Sequence, residues 1–127
     1  MSTLIHIPVS PGELIDKVTV LQIKKAKIAD ETKLANVSRE LDLLLAEVAK
    51  LPQSEELTKL WESLRAANEV IWDSEELLRA PEIKNDPPAF NAQAHISHDG
   101  NDERFRLKRA INEALGSSII EVKSHQK

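Results

Sequence analysis

The chain of 127 residues has no cysteine, no tyrosine, three glycines and four aromatic residues: Trp61, Trp72, Phe90 and Phe105. Without cysteine there is no disulfide, no thiolate nucleophile and no cysteine-type zinc site. Scarce glycine and absent tyrosine argue against a many-turned β fold. No apolar run approaches the roughly 18 residues of a membrane span. Met1–Pro8 has neither the basic stretch nor the long apolar stretch of a secretory leader. No membrane partner is therefore expected, and the cytoplasm is the expected location. Charge of one sign is also in short supply. The net charge of −4 is too mild to draw the chain to nucleic acid, which is not an expected partner. With 41% hydrophobic and 30% charged residues, the composition is that of a globular protein, here a single helical domain over residues 1–127.

What is present in abundance is leucine at heptad spacing. Leu34, Val37, Leu41, Leu44, Val48 and Leu51 recur at steps of three and four. The same alternation runs through Leu57, Leu60, Leu64, Ala67, Ile71, Ser74 and Leu78. Such spacing keeps an apolar seam on one side of a helix, where a second helix can bury it. Only Pro52-Gln53-Ser54 separates the two ladders. The expected fold is an all-α antiparallel bundle built on this long helical hairpin, with short extended segments at the N and C termini.

Helix boundaries are marked by side-chain chemistry. Ser10-Pro11-Gly12-Glu13 gives a cap, a proline at the first helical position and a capping-box glutamate, predicting a first helix over 11–29. Asp30 caps a second, to about Leu51. Ser54, followed by Glu55 and Glu56, opens a third that Pro81 stops near Ala80. Asp86-Pro87-Pro88 opens a short helix through about Ser97, His98-Asp99-Gly100 reads as a break, and a last helix spans 102–115, ended by Gly116. Residues 3–9 form an extended arm, and Ile119-Ile120-Glu121-Val122 a β-prone tail that could pair with it.

The first helix carries more apolar surface than one stripe needs. Leu14, Val18, Leu21 and Ile28 make the stripe, while Val20 and Ile23 point elsewhere and Leu43 leaves the seam of the second helix. Such a surplus calls for cover by another helix or another subunit. A homo-oligomer, a two-fold dimer first, is the expected assembly.

Several polar constellations could carry chemistry. Glu13 and Asp16 share a face of the first helix, and Glu69 and Asp73 share one on the third, with Glu76 a turn on and Trp72 beside them. As a set, Glu13, Asp16, Glu69 and Asp73 could ligate a divalent cation. Their spacing, though not the extended motif, resembles the magnesium sites of all-α nucleoside-triphosphate pyrophosphatases. The bland account makes Glu13 a cap and the others a solvated face. His95, His98, Asp99 and Asp102 also have a metal-compatible spacing, in what reads as a polar loop. In the last helix, Arg104 and Lys108 lie one turn apart with Asn112 a further turn on. They could receive a small anionic ligand such as a phosphate or carboxylate, or simply pair with Asp102 and Glu103. No glycine-rich phosphate loop exists and no cofactor is expected.

Gly12-Glu13-Leu14-Ile15-Asp16-Lys17, Asn68-Glu69-x-x-Trp72, and Asn101-Asp102-x-Arg104 with Lys108-Arg109-x-Ile111-Asn112 resemble a family of small uncharacterised bacterial proteins. The likeness spans nearly the whole chain and departs from the pattern at Gln93–His98. It implies a bacterial-type single domain without an assigned reaction. It also singles out polar residues beyond what a core needs: Glu13, Asp16, Lys17, Asn101, Asp102, Arg104, Lys108 and Asn112, read as a ligand or partner site. The two motifs should meet, pairing Asp16 or Glu13 with Arg104 or Lys108. The favoured function is a non-catalytic binding or assembly module of the bacterial cytoplasm. The competing one is a small magnesium-dependent hydrolase acting on nucleotides.

Overall fold

The computed structural model describes residues 3–117, so the β-prone tail lies outside the described residues. Five helices follow one another: α1 (Pro11–Lys27), α2 (Glu31–Val48), α3 (Glu55–Leu78), α4 (Pro81–Lys84) and α5 (Pro87–Ala114). Among the described residues there is no strand, and the fold is all-α. The starts fall where side chains can cap them. Ser10, Asp30, Ser54 and Asp86 each accept a backbone N–H three residues on, from Glu13, Lys33, Leu57 and Ala89 respectively. Pro81 ends α3 as expected but also opens the single-turn α4.

The helical hairpin is not the centre of the bundle. α2 and α3 follow each other round a short turn, yet their backbones make no close approach. α1 lies between them, packed on α2, α3 and α5 together, and the most extensive helix pair is α3 with α5. Leucines of both seams still share one core. Leu41 and Val48 from α2, and Leu57 and Leu64 from α3, are buried with Ile15, Val18 and Leu21 of α1 and Ile111 of α5. This central position explains the surplus apolar surface of α1. Ile23 is 2% exposed within a single chain, so it needs no second subunit to cover it. Ile15, Thr19 and Ile23 stand at i, i+4 and i+8, a second buried row beside the expected stripe.

The expected break at His98-Asp99-Gly100 is absent. One helix of 28 residues, about 42 Å long at 1.5 Å per residue, runs through it. A mid-helix glycine is about 1 kcal/mol less favourable than alanine, and close approach of two helices explains it. A Cβ on Gly100 would stand 2.8 Å from Ile71 Cγ1 of α3. With Ser97 hydrogen-bonded to Glu75 at 2.8 Å, these contacts show α3 and α5 running antiparallel. Asp99 and Asn101 therefore lie in the interior of one continuous helix. The far end of α5 stops as expected. Gly116 has φ +66°, its N–H reaches Glu113 O, and Ser117 N–H reaches Asn112 O at 2.9 Å. That pair of bonds is a Schellman closure.

Candidate functional site

The antiparallel packing of α1 on α5 sets the first turns of one helix against the last turns of the other. At the outer end the Gly12 N–H donates to Asn112 Oδ1 at 2.7 Å. The first N–H groups of a helix have no partner within it, so Asn112 satisfies one of these from another element. Gly12 is required by proximity: a Cβ there would lie 2.3 Å from Lys108 O and 2.9 Å from Asn112 Oδ1. One turn further, Lys108 Nζ meets Glu13 Oε2 at 2.8 Å. Glu13 therefore does not act as the capping-box residue expected of it; its carboxylate turns to α5, with Lys17 Nζ a looser neighbour at 3.9 Å.

Asp16 is the anchor. It is 1% exposed, and a buried carboxylate must be paired and hydrogen-bonded. Arg104 donates to it twice, Nε to Oδ1 at 2.8 Å and Nη2 to Oδ2 at 2.6 Å. This is the bidentate fork that matches a carboxylate plane. Asn68 of α3 donates a third bond to Oδ1 at 2.9 Å. Asn68 Nδ2 also reaches Thr19 Oγ1 at 2.8 Å, and the Thr19 hydroxyl donates to Asp16 O at 2.7 Å. Burial alone would raise the Asp16 carboxyl above its ordinary value. The hydrogen bonds from Arg104 and Asn68 and the charges of Arg104 and Lys108 outweigh it and hold the group below the usual carboxylate range.

The cluster joins three helices and balances two anions against two cations. Of the eight residues expected to form a site, five converge: Glu13, Asp16, Arg104, Lys108 and Asn112. Lys17 is exposed beside them. Asn101 donates back to Ser97 O within α5, and Asp102 stands 3.6 Å from His98. Asn68 and Thr19 were not among the expected site residues. A signal for Asn68 exists, since it falls four residues after Leu64 on the apolar side of α3, where an amide has to find a partner.

Chemically, the arrangement does not equip Asp16 as a general base. A general base works best with a pKa near the operating pH, and Asp16 is shifted away from it. The four carboxylates considered as metal ligands are divided among internal cations: Asp16 on Arg104, Glu13 on Lys108, and both Glu69 and Asp73 on Lys27, at 3.6 and 2.9 Å. The hydrogen bond to Asp73, and the charges of Asp73 and Glu69, raise the Lys27 ammonium above its ordinary value. Among the described residues, the one metal-compatible group is His98, Asp99 and Asp102, with ligand atoms within 4.8 Å of one another; His95 stands outside it. His98 and Asp99 are exposed on the flank of α5.

A second surface begins where the first ends. Residues 3–9 precede Ser10 as an arm without regular structure, and none of their backbone groups makes a hydrogen bond to another described residue. Leu4 is 63% exposed, Ile5 82% and Ile7 69%. Together with Leu14 of α1 and with Leu43, Leu44 and Leu51 at the α2 end, they line a cleft of about 540 Å³. Lys17, Glu47 and Lys50 stand on its lining as the charged members.

A family of unknown function, DUF6165, matches residues 5–127, and the chain belongs to it. No curated protein and no solved structure matches the chain.

Proposed function

We propose that this member of the DUF6165 family is a non-catalytic binding or assembly module of the bacterial cytoplasm, and that it engages its partner through the cleft beside residues 3–9. The observation that carries this reading is the concentration of exposed apolar side chains there, Leu4, Ile5, Ile7 and Leu43, around one concave surface. Large apolar side chains gathered on one side of a soluble domain mark an interaction site. The polar motifs serve that surface indirectly. Glu13, Asp16, Arg104, Lys108 and Asn112 lock the start of α1 to α5, which fixes the root of the arm at Ser10, and Lys17 carries the motif onto the cleft lining.

Binding of an apolar fluorescent dye to the folded protein at submicromolar concentration tests this. Dye should bind the native chain, and Leu43→Glu should weaken binding about tenfold without altering the circular dichroism. Equal dye binding by the variant would defeat the reading. The same samples test the hydrolase alternative. Millimolar magnesium should leave the melting temperature unchanged, whereas a rise would signal a cation bound to the folded state.

A further inference from the structure

We infer that the occupant of the cleft is a second copy of this chain, each arm of residues 3–9 lying against the arm and cleft of the other about a two-fold axis. The inference rests on the proposal that the cleft is a binding surface, and it names the partner.

Self-complementarity argues for this occupant. An isologous interface requires one patch to supply both halves of every contact, and this patch holds both. Its projecting half is the arm, where Leu4, Ile5 and Ile7 are more exposed than any other large apolar side chains of the described chain. Its receiving half is the recess of Leu14, Leu44 and Leu51, which the core leaves half-covered. The charged members have both signs, Lys17 and Lys50 with Glu47, so an identical patch meets no like-charged wall. The arm backbone supplies a third reason. Its N–H and C=O groups have no partner among the described residues, so they are open to hydrogen bonds from an extended segment laid alongside, the other copy's arm included.

Size sets the expected strength. Specific interfaces bury about 1,200–2,000 Å² in total, with roughly 20–30 residues a side. The cleft and arm present 12 residues per copy, which places this contact at or below the low end. A contact of that size is expected to be reversible, not obligate, and we place its dissociation constant on the order of micromolar.

The test is light scattering on the full chain across a concentration series, beside Ile5→Glu/Ile7→Glu and Leu43→Glu. The mass should rise from 14.2 kDa toward twice that value as concentration passes the micromolar range. Ile5→Glu/Ile7→Glu should weaken association by about a hundredfold, with helical circular dichroism unchanged because the two side chains are mostly in water. A wild-type mass fixed at one chain up to several hundred micromolar overturns the inference. So does a dimer that both variants leave intact. Dye binding separates this failure from failure of the underlying proposal. A chain that stays monomeric yet binds dye in a Leu43-dependent way has a cleft that takes a different occupant. One that binds no dye has no functional cleft at all.

Discussion

Ser10 divides two stretches of chain that invert the usual rule of burial. The seven residues before it expose leucine and isoleucine, while the ten after it bury aspartate, threonine and glycine. Both stretches depart from what composition alone would produce, but only one is compensated among the described residues. Every polar group of the buried stretch has a partner: Arg104 and Asn68 for Asp16, Lys108 for Glu13, Asn112 for the Gly12 N–H. The apolar groups of the arm stay mostly exposed among the described residues, sharing a cleft with Leu14, Leu43, Leu44 and Leu51 without being covered. The contrast teaches that a polar sequence motif can be internal architecture, while the exposed apolar surface is the part with the plainer sequence.

The sharpest way to break the comparison is to remove the compensation. Arg104→Ala leaves the Asp16 carboxylate buried without its cation, and losing one member of a buried pair costs about 3–5 kcal/mol. Lys108→Met is the control within the same cluster. Glu13, with 31% of its side chain exposed, can turn to water, so the loss should be about 1 kcal/mol or less. Urea denaturation at neutral pH measures both. Equal losses would mean that burial does not distinguish the two pairs.

Glycine substitution sharpens the same boundary at smaller amplitude. Gly12→Ala forces a methyl against the Lys108 carbonyl, a backbone atom that cannot swing away, and should cost about 1–3 kcal/mol. Gly100→Ala is crowded by the Ile71 side chain alone, with the Ala67 carbonyl at an ordinary 3.9 Å, and gains up to about 1 kcal/mol of helix propensity. Its net effect should be the smaller of the two. The reverse order of denaturation midpoints would show that α3 and α5, not α1 and α5, form the unyielding contact.

Much of this could be read beforehand, and what could not has identifiable causes. Capping residues marked four helix starts because their chemistry is local. The meeting of Asp16 with Arg104 could also be anticipated, since two opposite charge clusters far apart in sequence each lacked a counterpart. The continuity of α5 was not legible. Gly100 has the same one-letter signature whether it breaks a helix or admits a neighbouring one, and only the position of Ile71 decides. The packing of α2 on α1 is hidden for a related reason. A heptad seam says that a helix has a partner, and adjacency in sequence points to α3, whereas α2 packs its backbone on α1. An amide on an apolar row, as at Asn68, declares a need without declaring who meets it.

Acid should affect the two stretches differently. Asp16 has its folded-state pKa below its unfolded value of about 3.9. Its contribution to stability is therefore complete above the unfolded value and is lost as pH falls below about 4 through the folded one. Asp16→Asn lacks that titration, so its stability should fall less steeply than that of the wild type over the same acid window. Parallel curves for the two proteins below pH 4 would remove Asp16 from the acid response.

The smallest expected effect on folding belongs to the arm, and it is the more telling for being small. At protein concentrations well below micromolar, Ile5→Glu/Ile7→Glu should change the unfolding free energy by no more than about 0.5 kcal/mol, the range for surface positions. Two isoleucines replaced by charges would be ruinous in a core, but these side chains are 82% and 69% exposed in the single chain. Raising the concentration should then separate the proteins. The wild type gains stability by mass action as the dimer fills, and the variant does not. A loss above about 2 kcal/mol in the dilute monomer would place the arm inside this chain's own core, and the distinction drawn at Ser10 would disappear.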